Sequence, residues 1–287
     1  MPELISVIVT TYNREDALEA VLSALSRQSD REFEVVVADD GSRPATAALI
    51  ERWKGRLGVP LSHVWQADRG FRAAEIRNRA LLAARGDYCV FLDGDCIAST
   101  DFVATHRRLA ERGWFVTGNR VLLSRELTAA VLREAVLPQT WNLAQWINRR
   151  AQGGVNRLAA VLRLPLGPLR KLRPGQWQGA RSCNLAVWRS DLERVDGFDA
   201  SFRGWGREDS DLLIRLLHSG VRRKDGRFAT GVIHLWHDEE DRSQLDANDA
   251  RLDAVQRSDR VRAQAGMSAL AGGAPDDQAR PADMSKA

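Results

Sequence analysis

YCVFLDGDC, residues 88–96, is a short apolar run that stops at two carboxylates, Asp93 and Asp95. An apolar run of this length, following Gly86 and Asp87, predicts a strand buried on both faces. Residues two apart in a strand point to one side, so Asp93 and Asp95 converge at its carboxyl end, where open α/β sheets take their ligands. Two hard oxygen donors at that place suit a divalent cation that keeps waters and substrate phosphates. The competing reading is a loop whose aspartates cap the next helix.

Outward from that run, strands and helices alternate. Residues 4–10 read as an apolar strand, with Asn13 as a cap for a helix over 14–28 that carries Ala17, Leu18, Val21, Leu22 and Leu25 on one face. Residues 33–38 read as a second strand ending in Asp39, Asp40, Gly41 and Ser42, and Pro44 suits the first turn of the helix that follows. A strand over 62–66, helices over 73–84 and 101–112, and a strand over 114–117 continue the pattern. This alternation predicts an α/β, Rossmann-like fold, a mostly parallel sheet flanked by helices. Thr10, Tyr12, Asn13, Asp39 and Asp40 then share one sheet edge with Asp93 and Asp95. There an aspartate accepts hydrogen bonds from a pyrimidine or a ribose, and Tyr12 offers a face to a base. For Asn13 and Ser42 the plain reading is helix capping. Neither G-x-G-x-x-G nor G-x-x-x-x-G-K-[ST] occurs, which disfavours dinucleotide and Walker-type sites.

Residues 68–80, DRGFRAAEIRNRA, bring Arg69, Arg72, Arg77 and Arg79 to a glycine loop and helix that can approach phosphates or a base, or else form a solvated face. Over 121–175 the pattern turns helical, with expected helices at 126–137, 141–149 and 155–166. The last has an apolar stripe (Val155, Leu158, Ala159, Leu162, Leu166) beside Arg157 and Arg163, and a basic cluster (Arg170, Lys171, Arg173) follows it. A helix of this kind packs on a core or lies on an anionic membrane. Farther on, Gly204 and Gly206 flank Trp205, and Glu208 and Asp209 open a helix. The acids complement the helix dipole; they also set an aromatic platform beside a candidate general base. His234 and His237, two of five histidines, close an apolar run and are candidate ligands for a cation held with Asp93 and Asp95.

The 287 residues, 44% hydrophobic, allow one large domain with an insertion. Three cysteines without metal-type spacing argue against a disulfide framework and for a reducing, cytoplasmic setting. The first apolar run has no basic leader and is too short for a membrane span, so it reads as a strand. A formal charge of +4 suits anionic partners. A polar region after residue 241 contains an expected helix at 247–263, and residues 263–287 read as a disordered tail.

Taken together, SVIVTTYNR, VVADDGS and FLDGD resemble the front half of the nucleotide-sugar glycosyltransferases of family 2, which have the GT-A fold. GFRAAEIRNRA, the region of Asn184, GFDASFRGWGREDSD and HLWH resemble the galactosyltransferase-type carboxyl module of β-1,4-galactosyltransferases and chondroitin-polymerase-like enzymes. The resemblance covers residues 4–120 and 176–240. It implies a nucleotide-sugar-binding half (1–120), a helical insertion (121–175), and an acceptor and metal half (176–262) of one domain. The implied nucleotide-sugar site comprises Thr10, Tyr12, Arg14, Asp39, Asp40, Arg72, Arg77, Asp93, Gly94 and Trp205. The implied metal ligands for Mn²⁺ (or Mg²⁺) are Asp95 and His237, with Asp93 and His234. Asp209 would be the catalytic base and Glu208 an acceptor contact. The implied function is inverting, metal-dependent transfer from a UDP-sugar to a hydroxyl of an oligosaccharide or glycolipid, in bacterial surface polysaccharide or lipopolysaccharide synthesis. It implies no nucleic-acid partner and a cytoplasmic place, at the inner face of the membrane if residues 155–173 dock there. A metal-dependent nucleotidyltransferase and a catalytically silent sugar-binding module are the alternatives.

Overall fold

Apolar runs separated by amphipathic stretches build a layered α/β structure in the computed structural model, which describes residues 1–239 and 241–271. The first half contains β1 (Ile5–Thr11), α1 (Glu15–Leu25), β2 (Phe33–Asp39), α2 (Pro44–Lys54), β3 (Leu61–Trp65), α3 (Ala73–Ala83), β4 (Tyr88–Asp93), β5 (Cys96–Ala98), α4 (Phe102–Leu109) and β6 (Trp114–Thr117). Then come β7 (Arg120–Leu122), α5 (Arg125–Arg133), α6 (Leu143–Ala151), β8 (Asn184–Trp188), α7 (Arg189–Arg194), α8 (Glu208–His218), β9 (Arg222–Asp225), β10 (Val232–His234), α9 (Leu245–Gln256) and α10 (Met267–Ala271).

One seven-stranded sheet runs β3-β2-β1-β4-β8-β6-β9. Its neighbours are parallel except at β8, which lies antiparallel between β4 and β6. The expected mostly parallel sheet is therefore present, and the back half of the chain supplies strands to the middle and edge of it. Alternate residues of the inner strands enter different cores. Val7, Val9, Val35, Val37, Val90 and Leu92 pack with Leu18, Leu22 and Leu49 on one face. Ile8, Val36, Cys89 and Phe91 pack with Ile76, Leu212 and Leu216 on the other. Burial on both faces is why these strands lack polar alternation. The registers Thr10↔Asp93 and Thr11↔Asp39 bring the ends of β1, β2 and β4 to one edge. A small sheet, β5-β10-β7, sits at that edge.

Three expectations are corrected. Asn13 is not a helix cap: it takes a left-handed φ of 46°. Its Oδ1 accepts from the Arg43 N–H and its own N–H donates to Ser42 Oγ, so the two residues clip the loops after β1 and β2 together. Residues 155–166 form no helix. After Gly153 and Gly154, Val155 bridges to Leu123 and Asn156 Oδ1 accepts from the Leu122 N–H, so the chain is drawn onto the small sheet before Pro165 ends any helical option. The amphipathic basic helix expected there is thus absent. Residues 263–271, assigned to a tail, are packed: the Ala263 N–H donates to Val195 O, the Ser268 N–H to Asp196 Oδ1, and Met267 is buried. Residues 272–287 lie outside the described residues.

Under α8, Arg215 is fully enclosed. Its guanidinium donates to Asp211 Oδ2 (2.8 Å), Val195 O (2.7 Å) and Gly197 O (2.9 Å). Arg260, from the segment after α9, donates to Asp211 Oδ1 (3.0 Å) and Asp199 Oδ2 (3.3 Å). Among the described residues no helix is long and apolar enough to cross a membrane.

Candidate active site

The turn between β4 and β5 is pressed against the end of β1. The Gly94 N–H donates to Thr10 O at 2.7 Å, and a Cβ on Gly94 would stand 2.9 Å from that oxygen. Only glycine fits without displacement, and it sets Asp93 and Asp95 on either side of the turn. Asp95 Oδ2 lies 3.3 Å from His237 Nε2 and 3.6 Å from His234 Nε2. One donor atom from each of the three residues falls within 4.8 Å of the others. Burial holds the His234 imidazole down at about 4 despite the pull of Asp95, so the ring is neutral at physiological pH. His237 Nδ1 lies 2.6 Å from Asp238 O. A neutral His237 donates from that nitrogen and leaves Nε2 as the lone-pair donor toward Asp95. One carboxylate with two imidazoles fits Mn²⁺ or another first-row cation better than Mg²⁺, which prefers oxygen.

Beside this cluster, buried Arg77 joins three elements. It donates to Thr10 Oγ1 (3.1 Å), Glu208 Oε1 (3.0 Å) and Asp93 Oδ1 (3.4 Å), and its guanidinium lies over the Phe198 ring. Burial pushes the Glu208 and Asp93 carboxyls upward, with Arg77 pulling both down. Burial also acts against the Arg77 charge, but Glu208 and Asp93 more than offset it. Asp209 follows in the first turn of α8, half-buried, its Oδ1 accepting from the Ser210 N–H (2.7 Å) and its Oδ2 from the Ser182 N–H (3.4 Å). The loop before it needs positive φ at Gly204, Gly206 and Arg207. That path presents Trp205 under the Arg242 guanidinium, and the Gly204 N–H ties the loop to Phe71 O.

At the other end of the edge, Asp40 is 5% exposed. It accepts from the Arg72 N–H (2.7 Å) and from Gln66 Nε2 (2.5 Å). Burial pushes its carboxyl up to about 6 in spite of both. Arg72 spends its guanidinium on Glu75 and Ala67 O. Tyr12 is half exposed and donates its hydroxyl to Asp68 (2.8 Å). Arg14 pairs with Asp16 (3.1 Å), and its charge still reaches His234.

Asp39, expected among the nucleotide ligands, is sealed off. It is 0% exposed, with Oδ1 taken by the Ser42 N–H and Oδ2 by His63. Sequence reasoning missed Gln66, which completes the Asp40 site, and Arg120, whose charge faces Asp93 and Asp95 and whose Nη1 lies 3.7 Å from Cys183 Sγ. It also missed that Cys96 and Cys183 meet beside Asp93. These contacts join residues far apart in the chain, and no local pattern announces them.

Residues 6–159 match glycosyl transferase family 2, and residues 172–238 match a family described as the N-terminal domain of galactosyltransferase. A validoxylamine A glucosyltransferase of Streptomyces hygroscopicus subsp. limoneus is 30% identical over 243 residues, 80% of this chain and 51% of that protein. A chondroitin synthase of Escherichia coli is 26% identical over 250 residues, 78% of this chain and 34% of that one. The chain thus spans about half the length, or less, of these relatives. Among solved structures, Staphylococcus aureus TarS superposes with a TM-score of 0.59 at 16% identity, over 87% of this chain and 39% of that one. The mannosyltransferase PcManGT of Pyrobaculum calidifontis, solved with GDP-Man and Mn²⁺, gives 0.56 at 18% identity, over 96% and 77%. These likenesses establish the GT-A type of fold. A family pattern that fills more than half of the chain makes this protein a member of glycosyl transferase family 2.

Proposed function

We propose that the protein transfers a sugar from a UDP-sugar to a hydroxyl of a glycan or glycolipid acceptor, with inversion and with Mn²⁺ assistance. The observation that carries this reading is the meeting of Asp95, His234 and His237 beside the Arg77–Asp93–Glu208 network, with Asp209 at the mouth of α8. Residues 1–120 supply the donor half, residues 176–262 the acceptor and metal half, and residues 121–175 an insertion between them.

Asp40 accepts hydrogen bonds from the nucleoside, with Tyr12 and Arg72 alongside, while Arg77 and Arg14 lend positive charge to the diphosphate end. Asp95, His234 and His237, with Asp93 near, would hold the cation, which would supply charge neutralisation for the leaving diphosphate. Trp205 gives the acceptor ring a flat face, and Glu208 lines the acceptor side. Asp209 takes the proton of the acceptor hydroxyl as its oxygen bonds to the anomeric carbon. The bond from that carbon to the diphosphate oxygen breaks, and UDP leaves. A single displacement from the opposite face inverts the anomeric centre.

A cellular role in surface polysaccharide or lipopolysaccharide synthesis accords with the polysaccharide synthases among the relatives. Without a helix over 155–166, peripheral membrane contact rests on exposed Leu164, Leu169 and Leu172 beside the basic residues of 157–173. The deciding experiment incubates the protein with UDP-sugars, GDP-mannose and Mn²⁺ and measures nucleoside diphosphate release. We expect UDP from at least one donor, dependent on Mn²⁺ and abolished in Asp95→Ala. Release of pyrophosphate from UTP and a sugar phosphate, or no release at all, would overturn the reading.

A further inference from the structure

Asp40, the acceptor assigned to the nucleoside, owes its setting to a residue from another strand. Gln66 directly follows β3 and is fully buried. Its N–H donates to Asp39 O at 3.2 Å and so extends the β2–β3 ladder. Its side chain turns to the next residue: Nε2 donates to Asp40 Oδ1 at 2.5 Å and lies 3.5 Å from Arg72 O. The backbones beneath this pair are pressed together. Gly41 takes a φ of +96°, and a Cβ there would stand 2.6 Å from the N and Cα of Asp68. Only glycine lets the loop after β2 come this close to the loop after β3.

Asp40 therefore has a donor on each oxygen, Gln66 Nε2 on Oδ1 and the Arg72 N–H on Oδ2 (2.7 Å). Two donors fix the plane of the carboxylate, and each oxygen keeps a lone pair for a ligand. Only the NH₂ end of the amide can face an ionised carboxylate, because Oε1 in its place would repel it. Oε1 itself finds no protein partner, a cost that an apolar side chain of the same size would avoid. Packing alone thus gives no reason for an amide here. Burial drives the Asp40 carboxyl up; against it act the Arg72 N–H, then Gln66, then the charges of Arg72 and Arg77. The other charged groups nearby are engaged elsewhere, Asp39 of β2 with His63 and Asp68 of the loop after β3 with Tyr12.

We propose that Gln66 is a positioning residue for donor binding: by holding Oδ1 it keeps the Asp40 carboxylate turned toward the nucleoside and accepting from it. The nucleoside touches Asp40, and Gln66 acts through that contact. The inference rests on the donor-site reading of Asp40.

The test has two arms, both on the full chain. In the first, carbon-13 NMR follows the Asp40 carboxyl of the free protein against pH, assigned by its loss in Asp40→Asn. Gln66→Met, of similar volume and without an amide, should move the midpoint from about 6 to about 7, because a hydrogen bond to the charged form is lost. In the second, calorimetry measures UDP binding with Mn²⁺ from pH 6 to pH 8.5. We expect Gln66→Met to weaken UDP throughout, and by roughly five times more at pH 6 than at pH 8.5, where the carboxyl is ionised in both proteins. In turnover of a UDP-sugar, KM should rise while kcat is kept. A packing role alone would weaken UDP evenly across pH and leave the midpoint in place. Should Gln66→Met fail to fold, Gln66→Asn, whose amide is one methylene too short to reach Asp40, carries both arms. The inference is overturned if the midpoint stays near 6, if UDP binds the variant as tightly as the wild type, or if the loss is the same at every pH. A wild type that binds no UDP removes the donor reading and this inference with it. A wild type that binds UDP beside an unaffected Gln66→Met variant removes the inference alone.

Discussion

Asp40 and Asp209 are carboxylates with different assignments. Burial raises Asp40 to about 6, so it titrates just below neutrality. In the proposed reaction Asp40 accepts from the nucleoside more strongly as a carboxylate, and its ionised fraction falls as pH drops through about 6. We expect the donor KM to rise from pH 7 to pH 5 and Asp40→Asn to flatten that dependence at a uniformly weaker affinity, as initial rates against donor concentration will show. Asp209→Asn should lower transfer by roughly 10²–10⁴-fold, the usual contribution of a general base. Calorimetry should find donor binding in that variant intact; wild-type turnover would remove Asp209 from its role. Asp95, His237 and Asp209 were legible because each stands in a short motif at a strand end or helix start. Asp39 stands beside Asp40 in the chain, but its carboxylate is occupied by the Ser42 N–H and His63. At the end of β2 neighbouring side chains diverge, and Asp39 turns to His63 while Asp40 meets Gln66 and Arg72. Arg120 had no motif, since β7 is three residues long and only the fold brings it to the edge.

At the level of elements, α4 contributes a pH-sensitive strut. His106 is 0% exposed, with Nε2 3.3 Å from Asn184 Oδ1, and burial holds its imidazole down at about 4. Because that value lies below the unfolded one, the unfolded chain takes up the proton first. This share of stability is present above about pH 6.5 and is lost as pH falls toward 4, by about 2 kcal/mol between pH 7 and 5. Urea unfolding at the two pH values should show His106→Gln losing less than the parent. The seat of the insertion is equally checkable. Gly231→Ala forces a methyl into the Ala160 carbonyl and should destabilise by about 1–3 kcal/mol. It should also open residues 156–166 to limited proteolysis; unchanged resistance would refute the close seating. The helix expected over 155–166 shows what periodicity leaves out. Its apolar spacing was real, but two glycines and free backbone partners at Leu122 and Leu123 offered a better place for the chain.

Over the whole molecule, the cation cluster takes Asp95 from the front half and two histidines from the back half. A ligand that binds only the folded state stabilises it by about 2.7 kcal/mol at 100 times its dissociation constant. Mn²⁺ should therefore raise the melting temperature, and Asp95→Ala should abolish the rise; an equal rise in that variant would place the cation elsewhere. The parallel strands and their shared edge were readable from strand–helix alternation. The antiparallel entry of β8 between β4 and β6 was not, since it follows from packing across a long separation. The closing arginine of the buried network has a practical consequence for gene design. A reading frame stopped at residue 258 would retain all three cation ligands and still lack Arg260, along with the Gln264 and Ala265 amides that hold Asp199. Two enclosed anions under α8 would then share Arg215 alone, so a truncated enzyme should fail in its foundations while its catalytic inventory reads as complete.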